Sequence, residues 1–219
     1  MTIQGLLFDA NGVLYRRPRG YERLERFLAA HGVRALPRER VKELVAAERE
    51  AAQTGRIAIA EYYAAKLRAH GLEDPEAIAA GVRFMIDDCH DVDLFPNAVE
   101  TFDALRSAGV GLAIVTDSVH PVQKKLGWLA AKGLSPAVFS AAVSSAEVGV
   151  RKPDPAIYLA ALERMGVGVG DAAFVGHATD ELEGAAGVGL KTIAFRPDDP
   201  EVEADAHIED LSELLEMVA

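Results

Sequence analysis

The sequence predicts an α/β fold in which a doubly wound parallel sheet forms the core and an α-helical bundle is inserted as a cap. Short, continuous apolar segments are typical of strands that are buried on both faces of a parallel sheet. From about residue 92 onward such segments alternate with helical patterns, which favours βα units. Residues 17–90 instead carry helical patterns without a convincing strand.

The first strand is predicted over Ile3–Phe8, an apolar segment that ends in Asp9 and is followed by the turn-forming pair Asn11 and Gly12. This pattern indicates a buried strand that carries a carboxylate at its C-terminal end. The other predicted strands are Gly111–Val115, Val138–Val143, Ala172–Val175, Lys191–Phe195 and Ala206–Ile208. Val138–Val143 is the weakest of these six patterns, and Ala206–Ile208 would form an edge strand.

The core helices are predicted from apolar residues that recur every three or four positions. The first of them repeats Val99, Phe102 and Leu105 and ends before Gly109, a residue suited to the position after a helix. The predicted core helices are Asn97–Ala108, Pro121–Ala131, Asp154–Met165, Asp180–Ala186 and Asp210–Val218.

The domain boundaries follow from where the strands stop and resume. We expect a core of residues 1–16 and 91–219 and a helical insert of residues 17–90. Pro37 and Pro75 stand where prolines favour the first turn of a helix. The predicted helices of the insert are Tyr21–Ala30, Arg38–Thr54, Ile59–Ala69 and Pro75–Cys89.

Composition narrows the class of protein. The chain has 219 residues, of which 50% are apolar and 26% charged, values that exclude disorder. Its net charge of −11 argues against nucleic acid as a partner, although a small phosphorylated ligand needs only a local positive site. The single Cys89 cannot form an internal disulfide. The N-terminus does not resemble a signal peptide and no apolar segment is long enough to span a bilayer, so we expect a cytoplasmic protein without a membrane partner.

The candidate site residues are polar residues that follow the strands, because ligands of open parallel sheets bind beyond the carboxyl ends of the strands. A carboxylate there can act as a nucleophile, and a hydroxyl and backbone N–H groups can hold phosphoryl oxygens. A lysine ahead of a helix can neutralise their charge, and a further carboxylate can help to hold Mg²⁺. The candidates are Asp9, Asn11, Thr116, Asp117, Lys152, His177, Asp180 and Glu181.

Four segments resemble, in order, the motifs of the haloacid dehalogenase (HAD) superfamily, whose members are mainly aspartate-nucleophile phosphatases. They are Phe8-Asp9-Ala10-Asn11-Gly12-Val13, Ile114-Val115-Thr116, Lys152-Pro153-Asp154-Pro155, and Phe174-Val175-Gly176 followed by Glu181 and Gly184-Ala185. The resemblance covers nearly the whole chain, and the insert is similar to the helical C1 cap of subfamily I. It implies a Rossmann-like core and hydrolysis of a small phosphorylated metabolite.

The resemblance also implies roles for individual residues. Asp9 would form an aspartyl-phosphate, while Thr116, Asp117 and Lys152 would bind the phosphoryl group. Mg²⁺ would be held by Asp9, the backbone carbonyl of Asn11, and Glu181.

Two positions depart from the phosphatase pattern. Asn11 stands where the phosphatases carry an Asp that acts as general acid and base, and an amide can do neither. We therefore expect impaired hydrolysis of alkyl phosphates, whose leaving group needs a proton, and a smaller effect on acyl phosphates. His177 stands where an Asp normally helps to hold Mg²⁺, so Mg²⁺ is expected to bind weakly or not at all, with another metal as an alternative.

Two further functions stay open at this stage. Asp9 could attack carbon, as in 2-haloacid dehalogenases, although no Tyr occupies position 11. Alternatively, the chain could be a degenerate family member that binds a phosphorylated ligand or partner without turnover. Arg16, Arg17 and Arg56 could contact an anionic substrate beneath the cap or could simply be solvated.

Overall fold

The computed structural model describes residues 3–218 and confirms the α/β fold. In chain order the strands are β1 (Gly5–Phe8), β2 (Tyr15–Arg16), β3 (Asp93–Leu94), β4 (Gly111–Thr116), β5 (Ala141–Ser144), β6 (Ala172–Gly176), β7 (Lys191–Phe195) and β8 (Ala206–Ile208). Six of them form a parallel sheet in the order β5-β4-β1-β6-β7-β8. Strands β2 and β3 form a separate antiparallel ribbon.

The helices divide into two groups. Between β2 and β3 lie α1 (Gly20–Ala30), α2 (Arg38–Leu44), α3 (Ala46–Gln53), α4 (Ile59–Ala69) and α5 (Pro75–Asp88), which we call the helical insert. After β3 follow α6 (Ala98–Ser107), α7 (Val122–Ala130), α8 (Ser145–Val148), α9 (Pro155–Met165), α10 (Thr179–Gly187) and α11 (Leu214–Met217). Within residues 3–218 no helix has both the length and the apolar character needed to cross a membrane.

The sheet is covered by apolar layers on both faces. Successive side chains of β1 point to opposite faces, so Phe8 packs in one layer with Phe102 of α6 while Leu7 packs in the other with Tyr158 of α9. All four side chains are fully buried. Burial on both faces explains why the strands read as continuous apolar segments.

Strand predictions for the second half of the chain hold closely. The bounds of β7 and β8 agree with the prediction, and β8 is an edge strand as expected. The weak pattern Val138–Val143 yields a strand only from Ala141, because Pro136–Val138 forms a 3-10 turn. The side chain of Ser135 caps that turn by accepting a hydrogen bond from the N–H of Ala137 at 3.3 Å.

Some helix predictions need correction. The predicted helix Arg38–Thr54 is two helices, α2 and α3, separated at Val45, whose φ of −117° and ψ of 26° are not helical. No Gly or Pro marks this break in the sequence. The C-terminal pattern Asp210–Val218 becomes a 3-10 turn at Leu211–Glu213 followed by α11. Short elements such as α8 and the β2–β3 ribbon lack the length for a detectable period.

The chain leaves the sheet through β2 and returns through β3, so both connections to the helical insert lie side by side. A group of six charged residues joins them, which we call the Arg–Asp cluster. Its members are Arg17, Arg19, Arg23, Asp88, Asp91 and Asp93. Arg19 binds Asp91 and Asp93 at 2.9 Å each, and Arg23 binds Asp88 at 2.6 Å. These bonds fix the start of α1 against the end of α5.

Candidate active site

The C-terminal ends of β1, β4 and β6 bring the main candidate residues together. Phe8 at the end of β1 lies opposite Ile114 of β4 and Val175 of β6. The residues that follow these positions, among them Asp9, Thr116 and His177, therefore cluster at one edge of the sheet.

Asp9 and Lys152 form a buried ion pair at the centre of this edge. The side chain of Asp9 is 7% exposed and that of Lys152 is fully enclosed. The ammonium of Lys152 donates to Oδ1 of Asp9 and also lies 2.9 Å from Oε1 of Glu181. Burial alone would lower the pKa of Lys152, but the charges of Asp9 and Glu181 outweigh it and raise that pKa. The lysine therefore carries its charge at neutral pH and neutralises two carboxylates.

Glu181 is the acidic residue of α10 that reaches this cluster. Burial, and then the negative charge of Asp9, raise the pKa of Glu181 to about 7. Its Oε2 atom is buried and has no hydrogen-bond partner among residues 3–218. The other acidic candidate, Asp180, is exposed and accepts a hydrogen bond from the N–H of Glu181 at 2.9 Å. Asp180 therefore bonds to the backbone of its own helical turn, and its exposed carboxylate lies outside the buried cluster.

The loop before α9 holds Lys152 in place. Asp117 accepts a hydrogen bond from the backbone N–H of Lys152 at 3.0 Å, so its carboxylate anchors this loop. Asp154 caps α9 by accepting from the N–H of Ala156 at 2.9 Å. Gly184 of α10 packs so closely on Pro153 that a Cβ atom there would lie 2.8 Å from the Pro153 carbonyl oxygen.

Thr116 is buried and has a partner that the sequence analysis missed. Its Oγ1 accepts a hydrogen bond from Nζ of Lys125 at 2.6 Å. Lys125 is 5% exposed, and burial lowers its pKa to about 8. The signal for this residue was present, since Lys125 occupies an apolar position of α7, in register with Val122 and Leu129.

The backbone N–H of Ser118, two residues after β4, already has a partner. It donates to Oγ of Ser145 at 3.0 Å, so it is not free to hold a phosphoryl oxygen. Ser145 opens the short helix α8, which the sequence analysis did not predict.

Asn11, Gly12 and His177 form the opposite side of the site. Asn11 is exposed and brings no carboxylate. Gly12 has a φ of +102°, and a Cβ atom there would lie 2.5 Å from Nε2 of His177, so only glycine fits. The Nε2 atom of His177 lies 3.7 Å from Oδ2 of Asp9, and its Nδ1 atom lies 3.2 Å from Oδ2 of Asp198.

Three side chains offer a set of donors for a cation. Ligand atoms of Asp9, His177 and Glu181 all lie within 4.8 Å of one another. The buried Oε2 of Glu181, which has no partner among the described residues, is a free acceptor in this set. Carboxylate oxygens suit Mg²⁺, whereas an imidazole suits transition metals.

A cavity of about 520 Å³ lies between the helical insert and the strand ends. Asn11 and Asp117 line it on the core side. Arg16 and Arg17, which the sequence analysis considered as contacts for an anionic substrate, also line it. Arg56 does not line it, because its exposed guanidinium binds Glu50 at 2.7 Å. The aromatic residues of its wall are Tyr15, Tyr21, Tyr62, Tyr63, Phe84 and Trp128.

Three polar side chains meet where the helical insert touches the core. The hydroxyl of Tyr63 in α4 lies 3.2 Å from Sγ of Cys89 and 3.0 Å from Nε2 of His120. The Cys89 sulfur lies 3.0 Å from the same His120 nitrogen. Burial, and then the charges of nearby lysines, lower the pKa of His120 to about 4, so this imidazole is neutral.

Comparison with known proteins identifies the family. A family model of haloacid dehalogenase-like hydrolases matches residues 3–189. Phosphoserine phosphatase of Thermus thermophilus is 34% identical over 126 residues, which cover 55% of this chain and 49% of that protein. The (S)-2-haloacid dehalogenase 1 of Pseudomonas sp. strain CBS-3 is 30% identical over 109 residues, or 50% of this chain and 47% of that one. The match thus spans about half the length of these curated relatives.

A solved structure has the same fold. The crystal structure of a 2-haloacid dehalogenase from Pseudomonas syringae pv. Tomato DC3000 matches with a TM-score of 0.74. The two chains are 24% identical, and the match covers 99% of this chain and 98% of the other. Because the family model matches most of the sequence, the chain belongs to the haloacid dehalogenase-like hydrolases.

Proposed function

We propose that the chain hydrolyses a small phosphorylated metabolite and that Asp9 forms an aspartyl-phosphate. The observation that carries this proposal is the buried Asp9–Lys152 ion pair at the C-terminal end of β1, next to Asn11 and Asp117 at the core end of a cavity lined by cations. A buried carboxylate whose charge is already neutralised by a lysine can approach an anionic phosphoryl group with less repulsion.

The reaction would proceed in two displacements. A carboxylate oxygen of Asp9 attacks phosphorus, and the bond between phosphorus and the leaving-group oxygen breaks. Water then attacks phosphorus, the aspartyl–oxygen–phosphorus bond breaks, and Asp9 is restored with release of inorganic phosphate. Lys152 and the Thr116 hydroxyl would hold the phosphoryl oxygens. Lys125 already donates to Thr116, which leaves the hydroxyl hydrogen free to point at the substrate.

The choice of leaving group follows from Asn11. An alkoxide needs a proton as it departs, and the amide of Asn11 cannot supply one. A carboxylate leaves without that help, so an acyl phosphate is the better substrate. General acid catalysis is typically worth about 10²–10⁴ in rate, which sets the expected difference.

A divalent cation fits the donors of the site. Hydrolases of this superfamily generally use Mg²⁺. Asp9, the backbone carbonyl of Asn11, and Glu181 would hold it, and when bound it would balance the charge of the phosphoryl group. Because His177 replaces a carboxylate, we expect Mn²⁺ to bind more tightly than Mg²⁺. In the His177→Asp variant the thermal shift produced by Mg²⁺ should increase.

We also propose that residues 17–90 act as a C1-type cap over the core formed by residues 1–16 and 91–219. The helical insert contributes most of the cavity wall opposite Asn11 and Asp117, so it would exclude water and select the substrate.

A second candidate is hydrolysis of a carbon–halogen bond. Asn11 favours it, because a halide leaves without a proton. Asp9 would attack carbon, halide would leave, and water would hydrolyse the resulting ester. This reaction predicts halide release that is insensitive to EDTA.

The test measures phosphate released from acetyl phosphate and from several alkyl phosphates, and halide released from 2-chloropropionate. Each assay is run with Mg²⁺, Mn²⁺ or EDTA on wild type, Asp9→Asn and Asn11→Asp. We expect acetyl phosphate turnover that Asp9→Asn abolishes, with alkyl phosphate turnover raised about 10²-fold or more in Asn11→Asp. Asp180→Asn, which removes an exposed carboxylate next to Glu181, is the matched control and should retain activity.

Three outcomes would contradict the phosphatase proposal. Retention of turnover in Asp9→Asn would exclude the aspartyl-phosphate. Halide release without phosphate release would favour the dehalogenase. Ligand-dependent thermal stabilisation without any product would indicate a binding protein.

A further inference from the structure

The cavity beneath the helical insert carries far more positive than negative charge, although the whole chain has a net charge of −11. The cations that line it are Arg16, Arg17, Arg38, Arg49, Lys66 and Lys125. Among residues 3–218, two carboxylates line the same cavity, Asp88 and Asp117. A positive site of this kind in an acidic protein needs an explanation beyond general solubility.

The two carboxylates of the cavity are already paired. Asp88 lies 2.6 Å from a guanidinium nitrogen of Arg23 and 3.7 Å from one of Arg17. Asp117 accepts the Lys152 N–H and faces Arg151 at 4.0 Å. Neither carboxylate is available to neutralise the cations that the helical insert contributes to the cavity.

Three cations of the helical insert, Arg38, Arg49 and Lys66, have no acidic partner in the described part of the chain. We call them the basic patch. Among residues 3–218, no Asp or Glu oxygen lies within 4.0 Å of their charged nitrogens. Burial, followed by the charges of Arg38 and Arg17, lowers the pKa of Lys66 to about 8. The fold therefore keeps like charges close together at a cost to its own stability.

Unsatisfied polar atoms line the same cavity. Gln53 is 6% exposed, and its Oε1 atom has no hydrogen-bond partner among the described residues. The Nε atom of Arg17 is also buried without one. Buried polar atoms are nearly always paired, so an unpaired acceptor and donor beside a basic patch indicate a site completed by a ligand.

Helical geometry places these groups on helix faces that line one cavity. Arg49 and Gln53 are four residues apart and share one face of α3, and Tyr62 and Lys66 share one face of α4 in the same way. Both faces line the cavity whose other end is formed by Asn11 and Asp117 beside Asp9. At about 520 Å³ the cavity lies in the usual range for small-molecule sites.

We propose that the basic patch binds a second anionic group of the substrate, a carboxylate or a second phosphate, while the phosphoryl group to be transferred lies at Asp9. This inference rests on the proposed function and narrows it to bis-anionic phosphorylated metabolites. Gln53 would accept a hydrogen bond from a hydroxyl or an ammonium group between the two anionic ends.

The test compares three probes with the same three-carbon chain: propyl phosphate, 3-(phosphonooxy)propanoate and 1,3-propanediyl bisphosphate. Their binding is measured by calorimetry on the Asp9→Asn protein, which cannot form the phosphoenzyme. We expect at least one of the two bis-anionic probes to bind about tenfold or more tightly than propyl phosphate, since hydrogen bonds between charged groups are the stronger class. The tighter of the two identifies the second group as carboxylate or phosphate.

Variants of the basic patch then locate the effect. In Lys66→Met and in Arg49→Gln the preference should fall about tenfold, while binding of propyl phosphate changes less than about twofold. Lys66→Arg, which keeps the charge, should retain the preference. Arg68→Gln, on an exposed position of α4 outside the cavity, is the matched control.

The outcomes separate this inference from the proposed function. Equal binding of all three probes, no binding of any, or a preference unchanged in both Lys66→Met and Arg49→Gln would overturn the inference. Phosphate release by the wild type would still support the proposed function in those cases. A preference lost in these variants would support the second anionic subsite even if the wild type released no phosphate.

Discussion

Lys125 is a buried cation whose role at the site can be tested apart from its effect on folding. It donates to Thr116 and stands near enough to Asp9 for their charges to interact. Its pKa of about 8 means that it loses its charge within an accessible pH range. It is a positioning residue, because it acts on the substrate through Thr116.

We predict that Lys125→Met raises the KM for acetyl phosphate about tenfold and removes its pH dependence near 8. In the wild type, KM should rise as the pH increases through about 8, because the ammonium that supports Thr116 is then deprotonated. Steady-state kinetics from pH 6 to 9.5 would measure this. Lys124→Met, which changes the exposed neighbour, is the control. Because the pKa of Lys66 is also about 8, a change near pH 8 that persists in Lys125→Met and disappears in Lys66→Met would exclude Lys125.

Lys125→Met should weaken substrate binding but increase the stability of the folded protein. The pKa of Lys125 is lower in the folded protein than its ordinary value of 10.5, so between about pH 8 and 10.5 the unfolded chain binds more protons. Stability contributed by this group therefore rises with pH over that window. At neutral pH the buried charge is a cost, and Lys125→Met should raise the free energy of unfolding by about 1–3 kcal/mol, measured with urea.

The sequence predicted the residues that follow strands but not those that support them. Asp9 directly follows the apolar strand β1 and Thr116 ends β4, which is the pattern that the sequence analysis used. Lys152 in the loop before α9 and Glu181 in α10 lie at the same edge of the sheet. Lys125 sits at an apolar position of a helix, where the pattern alone indicated packing. The basic patch comes from separate helices, whose relative placement no local pattern encodes.

At Gly184, helix α10 lies closer to the loop that carries Lys152 than a residue with a Cβ atom would allow. Gly184→Ala would place a Cβ atom 2.6 Å from Cβ of Pro153 and 2.8 Å from its carbonyl oxygen. We predict a loss of about 1–3 kcal/mol in unfolding free energy, together with a lower kcat, because the loop that carries Lys152 must move.

Gly187→Ala in the same helix is the matched control for this prediction. Apart from its own helical turn, no atom of residues 3–218 lies within 4 Å of its added Cβ, so stability should be unchanged or rise by up to about 1 kcal/mol. Thermal unfolding and acetyl phosphate kinetics on both variants would measure the difference. Equal behaviour of the two variants would show that the close packing on Pro153 does not position Lys152.

The length of each helix or strand determined whether the sequence could predict it. Helices of three turns such as α4 show a clear period, and α4 has the bounds that the sequence indicated. The β2–β3 ribbon pairs two residues with two, too few for any periodic signal. The break at Val45 carries no Gly or Pro, and a valine lowers helix propensity only slightly.

Over the whole molecule, repulsion among the surplus acidic residues opposes the attraction within the Arg–Asp cluster. The chain has 34 acidic and 23 basic residues, so its surface repels itself at low salt. Pairs such as Arg19–Asp93 are partly exposed, with side-chain exposures of 43% and 34%, and contribute little. We predict that raising NaCl from 10 to 150 mM increases the Tm by a few degrees. For a chain of this length, each kcal/mol added to the unfolding free energy raises the Tm by about 2–4 °C.

Anions that enter the cavity would also stabilise the protein, so the salt series needs the Lys66→Met variant beside the wild type. A similar increase in both proteins assigns the effect to screening of surface charge. A decrease in Tm with salt would show that the Arg–Asp cluster outweighs the repulsion.

The central position of β1 has a consequence for how the chain is made. Gly5 pairs with Gly111 on one side and with Ala172 on the other, more than a hundred residues later in each case. A nascent chain that leaves the ribosome therefore exposes its first apolar strand while the helices that follow can already pack among themselves. Such distant pairing slows folding, and the partner of β1 on the β6 side is complete only after Gly176 has emerged. A stalled chain that ends before β6 should thus retain folded helices but lack a finished sheet, with the β6 side of β1 open to chaperones.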